Sequence, residues 1–159
     1  MRGFDDFDRG ILAILQRDNR TPQREIGERA NLSAAAVQRR IRRMEEEKLI
    51  AANVALVAPE KAGRALTIDV EVEAGSDPIE ELDALKGTFR AAPEVQQCYY
   101  VTGDVDFVLI MLVADMAEYE ALTRRLFFGN PNVKKFRTLI TMHRVKFDTA
   151  VAFEPSGRF

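Results

Sequence analysis

Two helix starts separated by a three-residue stop, residues 31–33, constrain this 159-residue chain more than any other feature. Thr21-Pro22 is a start signal, an N-cap residue followed by proline at the first helical position, where the missing N–H leaves nothing unsatisfied. Ile26 and Ala30 then give a short helix its apolar side. Asn31 tolerates the left-handed conformation that stops a helix, and Ser33 can accept a hydrogen bond from the first turn of the next one. A connection this short excludes parallel packing, so the helices must cross steeply, as in a helix-turn-helix unit.

The second helix of the pair carries Val37, Ile41 and Met44 at i, i+4 and i+7, which makes one narrow apolar stripe. Away from the stripe, long hydrogen-bonding side chains project, and the alanines leave the helix N-terminus free to approach another surface. That arrangement suits entry into a DNA major groove, with Ser33, Ala34, Ala35, Gln38 and Arg39 at or near the bases and Arg40, Arg42 and Arg43 nearer phosphates. The competing reading is a solvated helix face whose arginines pair with Glu45, Glu46 and Glu47.

Composition, 47% hydrophobic and 30% charged, fits an ordinary globular protein with room for a core. No run approaches the length of a membrane helix, and Met-Arg-Gly-Phe-Asp-Asp lacks the pattern of a signal peptide, so a cytoplasmic protein without membrane association is expected. One cysteine, Cys98, forms no internal disulfide, and one cysteine with one histidine makes no structural zinc site. No cofactor or metal is expected. The net charge of −2 hides an asymmetry: through Gly63 there are twelve Lys and Arg against ten Asp and Glu, and beyond it eleven against fifteen. The N-terminal surplus is small, so DNA binding would lean on the local arginine cluster and on doubling by a dimer.

In chain order, Asp5 or Asp6 can cap a first helix whose apolar face is Phe7, Ile11, Ile14 and Leu15. After the third helix, alternation at Val54 and Leu56 predicts a short linker strand or wing, with the same segment of a second chain as its mate. From Arg64 the period becomes two. Leu66, Ile68, Val70 and Val72 predict a strand, Asp77-Pro78-Ile79-Glu80 a capped helix, and Val95–Thr102 and Val105–Val113 two strands joined at Gly103-Asp104. A helix starting at Asp115 stops at Gly129-Asn130-Pro131, and a last strand runs from about Lys134 to Phe147.

Strand, helix, strand, strand, helix, strand is the ferredoxin-like plan. The expected class is α+β: a three-helix (winged) helix-turn-helix domain over residues 1–50, a linker strand over 51–63, a ferredoxin-like βαββαβ domain over 64–150 and a flexible tail over 151–159. The strand Val105–Val113 is apolar at both alternations and wants both faces buried, although the helices cover only one. A second copy packed on the bare face is the expected cover, with Asp69, Glu71 and Glu73 either flanking the contact or paired with basic residues.

This order of motifs resembles the Lrp/AsnC, or feast/famine, transcriptional regulators. The resemblance covers roughly residues 4 to 148 and rests on Phe7-Asp8-Arg9-Gly10-Ile11-Leu12, the Ser33 to Ile50 run and Val101-Thr102-Gly103-Asp104-Val105-Asp106-Phe107. It implies a sequence-specific DNA-binding regulator of double-stranded DNA, a homodimer that assembles further, for example into an octamer, and an amino acid or related effector bound between subunits. Carried over by position, the effector residues are Gly103, Asp104 and Asp106 in the hairpin, Asp115 nearby, and Thr138 and Thr141 on the last strand. Glycine-turn N–H groups suit a carboxylate and an aspartate suits an ammonium. Each also has a local reading: Gly103 permits a positive φ, Asp104 stabilises the turn, and Asp115 caps a helix. Thr102 and Val105 depart from the serine and aromatic residue many relatives carry.

Other classes have weaker support. No nucleophile and base are legible for an enzyme; Ser33 reads as a cap, His143 as a structural strand residue, and Asp104 with Asp106 as a weak metal signal. An RNA-reading sheet would use Tyr99, Tyr100 and Phe107. A stand-alone small-molecule-binding module would leave the basic helix without a purpose.

Overall fold

The computed structural model describes residues 4–75 and 79–153. Its packing divides into two units, one taking in the chain up to Ala55 and again from Lys146, the other running from Leu56 to Val145.

The first unit holds α1 (Asp6–Leu15), α2 (Gln23–Ala30) and α3 (Ala34–Glu46). Asp5 is the N-cap of α1: its carboxylate accepts the Asp8 N–H at 2.9 Å, and the Asp8 carboxylate accepts the Asp5 N–H at 3.2 Å. This reciprocal capping satisfies two donors that the first turn leaves unpaired. The start of α2 differs from expectation. Pro22 itself occupies the cap, and Thr21 Oγ1 donates back to the Asp18 carbonyl at 2.8 Å, so the hydroxyl closes the preceding turn instead of capping the helix. Asn31 ends α2 in the left-handed region at φ 51°, and Ser33 Oγ accepts the Ala36 N–H at 3.2 Å to start α3.

The turn between α2 and α3 requires glycine at position 27. A Cβ there would stand 2.4 Å from the Leu32 carbonyl oxygen. Around that crossing Ile11, Leu12, Ile26, Val37 and Met44 form the core, joined by Ile41, Ile50 and, from the far end of the chain, Phe153. Each of these buried aliphatic side chains contributes roughly 1.5–3 kcal/mol.

Residues 51–58 form no strand and no wing, contrary to the sequence reading. Val54, Leu56 and Val57 are exposed, because a lone extended segment has no ladder partner within this chain.

The second unit begins with a 3₁₀ turn (Pro59–Ala62) and continues as β1 (Leu66–Ala74), α4 (Ile79–Ala91), β2 (Val95–Tyr100), β3 (Phe107–Val113), α5 (Met116–Thr123) and β4 (Val133–Ile140). A π-helical turn, Arg124–Phe128, extends α5. The cap expected at Asp77-Pro78 lies outside the described residues. The strands are antiparallel in the order β2-β3-β1-β4, the ferredoxin-like arrangement. Ile68, Val70 and Val72 of β1 and Phe107, Leu109, Met111 and Val113 of β3 are buried with Leu85, Phe89, Tyr119, Leu122 and Phe127.

On the opposite face Val108, Ile110 and Leu112 are half-buried. The acidic residues of β1 are paired with the β4 side of the sheet. Arg137 Nε donates to Glu71 at 2.7 Å, Lys134 pairs with Glu73, and Thr141 Oγ1 donates to Asp69 at 3.0 Å.

Strand β4 stops at Ile140, seven residues short of expectation, because β1 offers no partner beyond Leu66. His143 consequently lies beyond the strand and is exposed. Of the segment expected as a flexible tail, Val151 exchanges two hydrogen bonds with the Gln16 side chain at 2.6 and 3.1 Å, and the Phe153 ring lies 5.5 Å from that of Phe4.

Candidate nucleic-acid interface and effector loop

Helix α3 presents two chemically different sides. Ser33, Ala34, Ala35, Gln38, Arg39 and Arg42 are exposed. Arg40 and Arg43, expected near phosphates, turn instead toward α1. Arg40 Nη1 donates to Asp5 at 2.9 Å and to Asp8 at 2.8 Å, and Arg43 Nη2 donates to Asp8 at 2.5 Å. Their positions explain this: Arg40 sits one turn from both Val37 and Met44, so its stem follows the buried stripe. The Arg40 guanidinium also lies over the Phe7 ring, 5.3 Å from its centroid.

Asp8 is fully buried beneath these two guanidiniums. A buried carboxylate is tolerated only when paired and hydrogen-bonded, and this one has both. Burial opposes the charge on Asp5, but the Asp8 N–H and the Arg40 guanidinium outweigh it and hold the Asp5 carboxyl below its usual range. The sequence reading missed this network. Its signal was an acid at Asp8, one turn before Ile11 and Leu12 on the apolar side of α1.

Arg42 Nε donates to Glu46 at 2.9 Å in a fully solvated pair, one contact of the alternative charged-face reading. Such an exposed pair is worth well under 1 kcal/mol, about 0.3–0.5, and yields readily to a phosphate. Gln38 and Arg39 have no hydrogen-bond or ion-pair partner among the described residues.

At the β2–β3 hairpin Gly103 adopts φ 135°, and a Cβ there would meet nothing within 4 Å. Asp104 is exposed. Asp106 is committed to the fold. Its carboxylate accepts the Ala74 N–H at 2.8 Å, its own N–H donates to Val72, and its carbonyl accepts from Val101. This latches the hairpin to the end of β1, where the β4 register shifts between Glu73 and Ala74.

The remaining expected effector residues lie elsewhere. Asp115 caps α5, accepting the Glu118 N–H at 2.8 Å. Thr138 faces the helices and shares a 2.5 Å hydrogen bond with Tyr119, whose hydroxyl pKa is pushed up by burial. Phe107 pairs with Tyr100 on one side and with Val72 of β1 on the other, whereas the Thr141 N–H donates to the Thr67 carbonyl and Asp115 closely follows Val113, the partner of Leu66. The hairpin and Thr141 are thus at opposite ends of β1, roughly 15 Å apart at about 3.3 Å per residue. A single chain does not bring these residues together. As for the aromatic candidates of an RNA-reading face, Tyr100 and Phe107 are on the helix side, which leaves Tyr99.

Two family models account for most of the chain, an AsnC-type helix-turn-helix domain over residues 4–45 and an Lrp/AsnC ligand binding domain over residues 67–151. The chain belongs to the Lrp/AsnC family. It is 39% identical over 151 residues to the HTH-type transcriptional regulator y4tD of Sinorhizobium fredii, covering 95% of this chain and 89% of that one. A crystal structure of an AsnC family transcriptional regulator from Agrobacterium tumefaciens superposes with a TM-score of 0.88 at 32% identity, covering 94% of this chain and 97% of its own. The feast or famine regulatory protein of M. tuberculosis, solved in complex with L-methionine, gives 0.81 at 30% identity, covering 94% and 99%. As an Lrp/AsnC protein with this helix-turn-helix, the chain is a DNA-binding transcriptional regulator. No helix among the described residues is long and apolar enough to cross a membrane.

Proposed function

We propose that this Lrp/AsnC regulator reads a near-palindromic duplex as a homodimer, with Gln38 and Arg39 hydrogen-bonding to base edges. Ser33, Ala34 and Ala35 let the α3 N-terminus enter the groove, and Arg42 exchanges Glu46 for a phosphate. The carrying observation is the division of labour on α3: Arg40 and Arg43 are spent on α1, while Gln38 and Arg39 stand exposed and unengaged. Both of these side chains can make paired hydrogen bonds to a base, so they are suited to readout.

The apolar row Val108, Ile110 and Leu112 supports dimerisation through the open sheet face, and further assembly, such as an octamer, would multiply the DNA-binding heads. An amino acid or related metabolite binds between subunits at the hairpin, its carboxylate on the N–H groups around Gly103 and its ammonium on Asp104. The L-methionine complex of the M. tuberculosis relative supports this class of effector. Asp115 and Thr141 would then belong to such a site only through a second chain. The activity is binding without turnover, and the effector acts by favouring one assembly or one spacing of heads over another.

Selection of random duplexes by the purified protein, with and without a pool of amino acids, tests this reading. It requires an enriched two-fold site with half-sites about one helical turn apart, or a multiple of it, and affinity that falls with salt. Absence of enrichment in both conditions contradicts it.

A further inference from the structure

Between α4 and the edge strand β2 lies a cavity of 440 Å³, within the size range of small-molecule sites. Its apolar side is Val95 and Tyr100, backed by the fully buried Phe89 and Phe107, whose rings meet edge to face at 5.4 Å. Its rim is cationic. Lys86 and Arg90 stand one turn apart on α4 and so share a side of the helix.

The Lys86 ammonium lies 4.9 Å from the centre of the Tyr100 ring, which forms part of the opposite wall. It also holds Asp83 at 2.8 Å, an i,i+3 pair of small net worth, and Asp83 is not part of the cavity wall. Arg90 has no hydrogen-bond or ion-pair partner among the described residues. None of the described residues lining the cavity is acidic. Burial pushes the Cys98 thiol up, outweighing nearby Arg90, so that wall supplies no negative charge either.

We propose that this cavity binds a small organic carboxylate with an apolar body and no ammonium group, a 2-oxo acid being the type. The carboxylate takes charge-assisted hydrogen bonds from Arg90 and Lys86, and the apolar body lies against Val95 and the Tyr100 ring. An amino acid fits less well, because its ammonium would stand beside two cations with no carboxylate to receive it. The hairpin, with Asp104, offers the opposite preference. Tyr100 is the last residue of β2 before the chain enters that hairpin, so an occupant here touches the strand that leads into the effector loop. The assignment is independent of the amino-acid site proposed above.

Calorimetric titration of the full chain with 4-methyl-2-oxovalerate and phenylpyruvate, against leucine and phenylalanine, tests it. The expected result is saturable binding of the oxo acids that falls with salt and weakens about tenfold in Arg90→Gln and in Lys86→Gln. Both positions lie on the rim, and a circular dichroism melt verifies folding. Pyruvate, lacking the apolar body, should bind more weakly. Equal binding of oxo and amino acids, binding unchanged in Arg90→Gln, or no saturable oxo-acid binding would overturn the proposal. Loss of oxo-acid binding in Gly103→Val with retention in Arg90→Gln would place the ligand at the hairpin and overturn it as well.

Discussion

Asp8 joins two helices by ion pairs at a position without solvent access. Removing one partner of a buried pair leaves the others unsatisfied, which costs about 3–5 kcal/mol. Asp8→Ala should therefore destabilise the N-terminal unit by about that amount in a urea titration, and an effect below about 1 kcal/mol would show that the arginines find other partners. Asp5 gives a pH dependence. Its folded-state pKa lies below the unfolded value of about 4, so its contribution is present above pH 4 and is lost as pH falls through the folded value. Asp5→Asn keeps an N-cap oxygen but no charge, and should flatten the stability profile in that acid window. Gly27 decides between opposing effects. Helix propensity favours alanine by up to about 1 kcal/mol, but a Cβ 2.4 Å from the Leu32 carbonyl forces the turn apart, so Gly27→Ala should be destabilising by about 2 kcal/mol on balance, measured by thermal melting. The caps at Asp5, Asn31, Ser33 and Asp115 were legible because their partners are at most four residues away in sequence. Asp8 was not, since Arg40 and Arg43 lie 32 and 35 residues along the chain.

Helices and strands followed from periodicity wherever a partner exists within the chain. Alternation placed β1 and β3, and spacing placed the stripes of α3 and α5, because each buries one face against the core of its own unit. It failed at residues 52–57 and beyond Ile140, where the pattern is apolar but no neighbouring strand is available. At the candidate effector site the loop was legible, but the engagement of Asp106 with the Ala74 N–H and of Thr138 with Tyr119 was not, because both contacts join distant elements. The hairpin yields its own prediction. A β-branched side chain at φ 135° is strained, so Gly103→Val should reshape the loop and weaken the response of DNA binding to the effector more than DNA binding itself. Gel shifts with and without the effector compare the two, and an unaltered response would remove the loop from the site.

For the molecule as a whole, the homodimer proposed above would turn a modest N-terminal charge surplus into a specific reader, with two copies of Gln38 and Arg39 acting on one duplex. The family and the two-part organisation were legible from the order of motifs. The proposed cover of the open sheet face is a second copy, which no periodicity within one chain could identify. The decisive measurement is the affinity of Arg39→Ala and of the native chain for a selected duplex and for random DNA at matched salt. The expected result is a loss of about 1–3 kcal/mol on the selected site, little change on random DNA, and an unchanged dimer by sedimentation. Native affinity for the selected site in Arg39→Ala would contradict the assignment of α3 as the reading helix through this residue.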